Sequence, residues 1–154
     1  MVAPEKLLTV ENPVFQTYLF YSSVLAVKMI AMSYLTAKIR FQKLVFASPE
    51  DITFNPKKAK VKYDDPDVER IRRAHLNDLE NIPLFLIVAL VYVMSDPNPW
   101  IANNIFRIFT LARIFHTVVY AVFPLPQPSR SLTFFVGNLA TVYMTIQGFR
   151  KFTF

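Results

Sequence analysis

Four apolar stretches decide what this chain can fold into. Residues 14–39 form the first, interrupted seriously over 14–37 only by Gln16 and Lys28. Residues 82–94 are apolar without a break, and extending them back to residue 75 gives a full span whose first two turns are polar. Residues 101–123 contain Arg107, Arg113 and His116, and residues 132–149 contain no charge. About 20 mainly apolar residues cross the hydrocarbon core as a helix, so each stretch is predicted to span a membrane. Composition agrees: 53% of the 154 residues are hydrophobic and 18% charged, against about 25% charged in a water-soluble domain.

The connections predict how the spans are arranged. Ser95-Asp96-Pro97-Asn98-Pro99 ends one helix and starts the next, and Pro124-Leu125-Pro126-Gln127-Pro128 cannot continue a helix. Short connections make neighbours antiparallel. The expectation is an all-α, integral membrane, up-down-up-down four-helix bundle, with residues 1–154 as one membrane domain and a basic loop over about residues 40–74. The long first apolar stretch lacks a small-residue cleavage site, so no cleavable signal peptide is expected.

Orientation follows from the basic residues. Arg40, Lys43, Lys57, Lys58, Lys60, Lys62, Arg70, Arg72 and Arg73 lie between the first two spans, and Arg130 follows the Pro-rich turn on the same side. The other side has Lys6, Arg150 and Lys151. Positive charge is retained on the cytosolic side, so the loop is expected to be cytosolic and both termini lumenal or external. This accounts for most of the net charge of +6 without nucleic acid. The loop lysines read mainly as a topogenic, lipid-facing segment.

Polar residues inside spans need another reason. A charge at membrane depth costs about 2.5 to 3.5 kcal/mol on insertion scales and usually faces the bundle interior. Arg73, Asn77 and Glu80 recur at i, i+4 and i+7 of the second span, with Arg72 and His75 flanking them. Arg113, His116 and Tyr120 recur similarly in the third. Arg40, Arg72, Arg73, Arg113 and Arg130 together predict a cationic cup for carboxylates. Glu80 and Asp78 are expected to receive an ammonium group, and Tyr120 supplies a neutral hydroxyl. The plainer alternative is mutual pairing, for example Arg73 with Glu80, that only glues helices together. Lys28 is expected either to pair with a neighbour's carboxylate or carbonyl or to serve function. Trp100 reads as an interface anchor. His75 and His116 lack metal-ligand companions, and the chain has no Cys, so no metal site is expected.

These residues also carry a resemblance. Phe46-Ala47-Ser48-Pro49-Glu50-Asp51 and the run from Val68-Glu69-Arg70-Ile71-Arg72-Arg73 through Ala74-His75-Leu76-Asn77-Asp78-Leu79-Glu80-Asn81 resemble the membrane-associated proteins in eicosanoid and glutathione metabolism. Ala112-Arg113-Ile114-Phe115-His116-Thr117 with Tyr120, and the Pro-rich turn to Arg130, extend the match over about residues 12–150. The resemblance implies glutathione as co-substrate, bound by Arg40, Arg72, Arg73, His75, Asn77, Glu80, Arg113 and Tyr120. It places Arg130 nearest the sulfur, so that Arg130 and Tyr120 are the expected catalytic pair.

It further implies a homotrimer with the site between subunits, opening to the cytosol from the endoplasmic reticulum or mitochondrial outer membrane. The expected activity is a glutathione transferase conjugating lipophilic electrophiles that arrive through membrane lipid, with lipid hydroperoxide reduction beside it. The alternatives are a glutathione-dependent endoperoxide isomerase of the prostaglandin E synthase type, which Ser131 would serve, and a non-catalytic lipid-binding scaffold. Family members with a Cys after Pro-Glu-Asp differ from this chain, which has Asp51-Ile52 there. Activation through a protein thiol is therefore impossible here.

Overall fold

The computed structural model describes residues 4–152. Its helices are α1 (Pro13–Lys43), α2 (Pro66–Met94), α3 (Pro99–Thr117) and α4 (Ser129–Lys151). Three of them begin by one device, an Asn or Asp followed by Pro. Asn12 accepts from the Val14 N–H at 3.0 Å, Asp65 from Asp67 at 3.1 Å, and Asn98 from Trp100 at 3.0 Å. The capping oxygen satisfies a backbone donor that has no helical acceptor, and the proline supplies no such donor. At the other end of α1, Leu44 adopts a left-handed φ of 55° and its N–H returns to the carbonyls of Arg40 and Phe41.

The helix α1 packs against α2 and α3, and α4 packs against the same pair. Among the described residues α1 and α4 make no contact, so they occupy opposite edges of the bundle. Three helical segments, Pro13–Lys43, Pro66–Met94 and Pro99–Val122, are long and apolar enough to cross a membrane. The predicted fourth span has the length and lacks charge. Its hydropathy is lowered by Asn138, Thr141, Thr145 and Gln147.

The start of the second helix differs from the sequence expectation. The second helix starts at Pro66, not near residue 75, because hydrogen bonding rather than hydropathy sets where a helix begins. Its polar opening turns still bury Val68, Ile71 and Ala74 on one face. The connecting loop is therefore shorter, and it is folded. Val45–Phe46 (β1) pairs in parallel with Lys60–Val61 (β2), with a 3-10 helix at Pro49–Phe54 between them. Lys43 closes this loop by binding Asp65 at 2.9 Å and also Asp67. The Lys43 hydrogen bond, foremost, holds the Asp65 carboxyl below the usual carboxylate range. The third helix ends in a π turn, Val118–Val122, a distortion common at functional sites. Tyr120 sits in it.

The core has two apolar parts. Phe85, Phe106, Phe109, Tyr92 and Met144 belong to the larger, in which Phe85 and Phe109 stack with ring planes 7° apart. Met32, Ile71 and Ala74 form the smaller, beside Tyr120. In sequence, Lys28, Asp78 and Arg113 fall between the two. They form a polar layer across an otherwise apolar bundle.

Candidate functional site

The polar layer is built from one residue on each of three helices. Lys28 of α1 donates to one oxygen of Asp78 on α2. Arg113 of α3 donates to the other, from Nη2 at 2.6 Å and from Nε at 3.2 Å. Asp78 is fully buried and Arg113 is 1% exposed. Two cations share one carboxylate, so the layer keeps an excess positive charge. The Arg113 Nη2 also reaches the Asn77 Oδ1 at 2.7 Å.

Asn77 connects the layer to a cavity of about 320 Å³, lined also by His116, Tyr120, Gln127, Arg130 and Ser131. The Arg130 guanidinium lies 4.7 Å from the centre of the Tyr120 ring, which a ring's negative face favours. Tyr120 in turn meets His116 edge-on at 5.5 Å. The Arg130 Nε and the His116 Nδ1 are buried without a hydrogen-bond partner among the described residues. Such atoms ordinarily find partners, and each orphan needs an explanation. Ser131 donates its hydroxyl to the Gln127 Oε1 at 2.9 Å, and its backbone N–H reaches the same oxygen at 3.3 Å.

The other sequence-predicted residues lie elsewhere. Arg40 lines a separate groove of about 520 Å³ with Phe46, Glu50 and Asp51, and its Nη1 is buried without a partner among the described residues. Arg72, Arg73 and His75 line a third, of about 420 Å³, beside Ser33, Thr36 and Leu79. Arg72 is paired with Glu69 at 2.6 Å. Glu80 is exposed.

Three expectations are corrected. The five arginines do not share one cup within a single chain, because α2 presents Arg72 and Arg73 to a different side from the cavity. Asp78 is not open to a ligand ammonium, because Lys28 and Arg113 consume both of its oxygens. Arg113 is not a surface of the cup: it is buried and reaches the cavity through Asn77. The plainer alternative, an Arg73–Glu80 pair, does not form among the described residues. Arg130 and Tyr120, by contrast, are together. Gln127 was not singled out by sequence reasoning, and its place between two prolines in the turn before Arg130 is the signal that could have found it. Among the described residues no cluster of His, Asp and Glu could hold a metal ion.

Fold and cavity together define a membrane-embedded four-helix protein with a polar recess, lined by Arg130, built into its bundle. The chain belongs to the MAPEG family, whose model matches residues 18–150. It is 47% identical over 137 residues to the human protein named microsomal glutathione S-transferase 1, covering 87% of this chain and 88% of that one. The mouse protein of that name is 44% identical over 144 residues, 92% of each chain. Horse prostaglandin E synthase is 38% identical over 144 residues, 94% of this chain and 93% of that one.

Proposed function

We propose that this protein is a glutathione transferase that joins the glutathione thiolate to lipophilic electrophiles. The observation that carries the reading is Arg130, whose buried Nε lacks a partner at a cavity that also holds Tyr120. A guanidinium with an unpaired N–H, held over a tyrosine ring, suits a soft anion. The reacting thiol of glutathione titrates near pH 8.5 when free. Each unit of depression corresponds to about 1.36 kcal/mol of preference for the anion. After the thiol proton leaves to water, the thiolate sulfur attacks the electrophilic carbon. A carbon–sulfur bond forms, and the leaving group departs with its bonding pair. Arg40, Arg72 and Arg73 serve the two carboxylates, Glu80 the ammonium, and His75 and Asn77 polar contacts. Arg113 acts through Asn77.

The test is thiolate absorbance on adding glutathione to the purified chain in detergent, followed by conjugation of an aryl halide. Both signals are expected. Thiolate without conjugation moves the assignment to an endoperoxide isomerase, and neither signal from folded protein moves it to a lipid-binding scaffold. The isomerase reading is weaker on two counts. Identity to the synthases is 37–38% against 44–47% to the transferases, and the Ser131 hydroxyl is already donated to Gln127.

Reduction of lipid hydroperoxides belongs to the same proposal. One thiolate attacks the terminal peroxide oxygen, giving a sulfenic acid and an alcohol, and a second glutathione converts the sulfenic acid to a disulfide and water. The basic loop then faces the cytosol, on a membrane of the endoplasmic reticulum or outer mitochondrion, where electrophiles enter from lipid.

A homotrimer is part of this reading. Six of the predicted ligand residues of one chain fall in three separate grooves, and α1 buries only Val14, Leu25 and Met32. Both facts support a site completed by a neighbouring copy. Native mass measurement in mild detergent is expected to give three chains per particle. A monomer that still conjugates at full rate would remove the shared site.

A further inference from the structure

The polar layer does more than hold three helices together. Arg113 has five N–H donors and no acceptor, so the Asn77 atom facing its Nη2 at 2.7 Å must be the amide oxygen. The Asn77 NH₂ is thereby left for the cavity that Asn77 lines with Tyr120 and Arg130. An unrestrained amide could turn either end to that cavity. A held one presents only donors. A second hydrogen bond, from Asn81 to the Asn77 backbone carbonyl at 2.7 Å, fixes the backbone at the same residue.

What aims Arg113 at Asn77 is Lys28. A free carboxylate and a guanidinium prefer the fork-on-fork arrangement, with two parallel hydrogen bonds to two oxygens. Here Lys28 occupies the Asp78 Oδ2. The Arg113 Nε and Nη2 both converge on Oδ1, and Nη2 reaches Asn77 as well. We infer that Lys28 is a positioning residue which, through Asp78 and Arg113, fixes Asn77 as a hydrogen-bond donor to an uncharged acceptor of the bound ligand, a peptide carbonyl. This rests on the proposal that the cavity takes glutathione.

The experiment measures initial conjugation rates of the full-length protein in detergent over a range of glutathione concentrations. Lys28→Met leaves Asp78 with Arg113 alone, a balanced pair that lets Arg113 adopt the forked geometry and release Asn77. The expected result is a KM for glutathione raised about tenfold, as loss of one hydrogen bond to the ligand predicts, with kcat within about twofold. Lys28→Arg restores KM to within about threefold, since it still occupies Oδ2. Asn77→Ala raises KM in the native background and adds nothing in the Lys28→Met background, because coupled residues are not additive.

Asn77→Asp serves as a second route if Lys28→Met does not fold. It still accepts from Arg113 but has no donor for the ligand, and it must raise KM at least as far as Asn77→Ala. An unchanged KM in Lys28→Met, with or without a lowered melting temperature, overturns the inference. So does additivity of Lys28→Met and Asn77→Ala, or native affinity in Asn77→Asp. Native protein that neither binds nor conjugates glutathione overturns the functional reading and takes this inference with it.

Discussion

Replacing Arg130 with alanine is expected to lower kcat/KM for conjugation by about 10² to 10³, the range seen when one preorganised donor to a developing or bound anion is removed. The physical basis is position. Arg130 holds its charge 4.7 Å from the centre of the Tyr120 ring, with Nε buried and unpaired. Loss of that charge leaves the thiol with its ordinary acidity at neutral pH, so the thiolate absorbance should fall with turnover. Glutathione affinity should fall by less than about tenfold, because its carboxylates and ammonium are held elsewhere and the loss is confined to the reacting sulfur. Lysine at this position keeps the charge but not the planar fork and should fall between the two. Rapid-mixing spectrophotometry separates thiolate formation from conjugation. Equal loss of affinity and turnover would make Arg130 a binding residue only.

The second large effect is on stability. Asp78→Ala removes the carboxylate shared by Lys28 and Arg113, leaving two like charges facing each other inside the bundle. Removing one partner from a buried pair costs about 3 to 5 kcal/mol. For a chain of this size that is a fall in melting temperature on the order of 10 °C, measurable by intrinsic fluorescence in detergent. Replacing Lys28, Asp78 and Arg113 together by apolar residues of similar volume should recover the lost stability, since no uncompensated charge remains. It should not recover glutathione binding, because nothing would then hold Asn77. Full stability of Asp78→Ala would show that the layer contributes nothing to the fold.

How much of this was legible in the sequence varied by residue. The spans could be read because hydropathy and helix length are properties of a short stretch of chain. The start of α3 was legible for the same reason, since Asn98-Pro99 acts within one turn. The start of α2 was not taken from Asp65-Pro66, because its opening turns are too polar to register as a span. The small sheet was hidden as well. Two residues per strand carry no periodicity, and the pairing of Val45–Phe46 with Lys60–Val61 depends on the ends of α1 and α2 being brought together.

The candidate site divides in the same way. Arg130 and Tyr120 could be named from their motifs, and the fold brings them into contact. The sequence also marked both Asp78 and Glu80 as unusual, but it gave them the same role. Successive residues of a helix are about 100° apart, so two positions apart points to nearly opposite sides. Which side faces inward is not a local property. It is decided when α1 brings Lys28 and α3 brings Arg113 against α2, which buries Asp78 and leaves Glu80 exposed.

By itself, then, the sequence determined the solvent this chain folds in, the number and order of its helices, and the family to which its motifs belong. Each of these rests on hydropathy, caps and short motifs that act over one or two turns. Only the tertiary structure decided which charges are spent on one another and which stay available to a ligand. Pairing requires side chains from helices as far apart as residues 28, 78 and 113 to meet at one depth, and no stretch of sequence contains that distance.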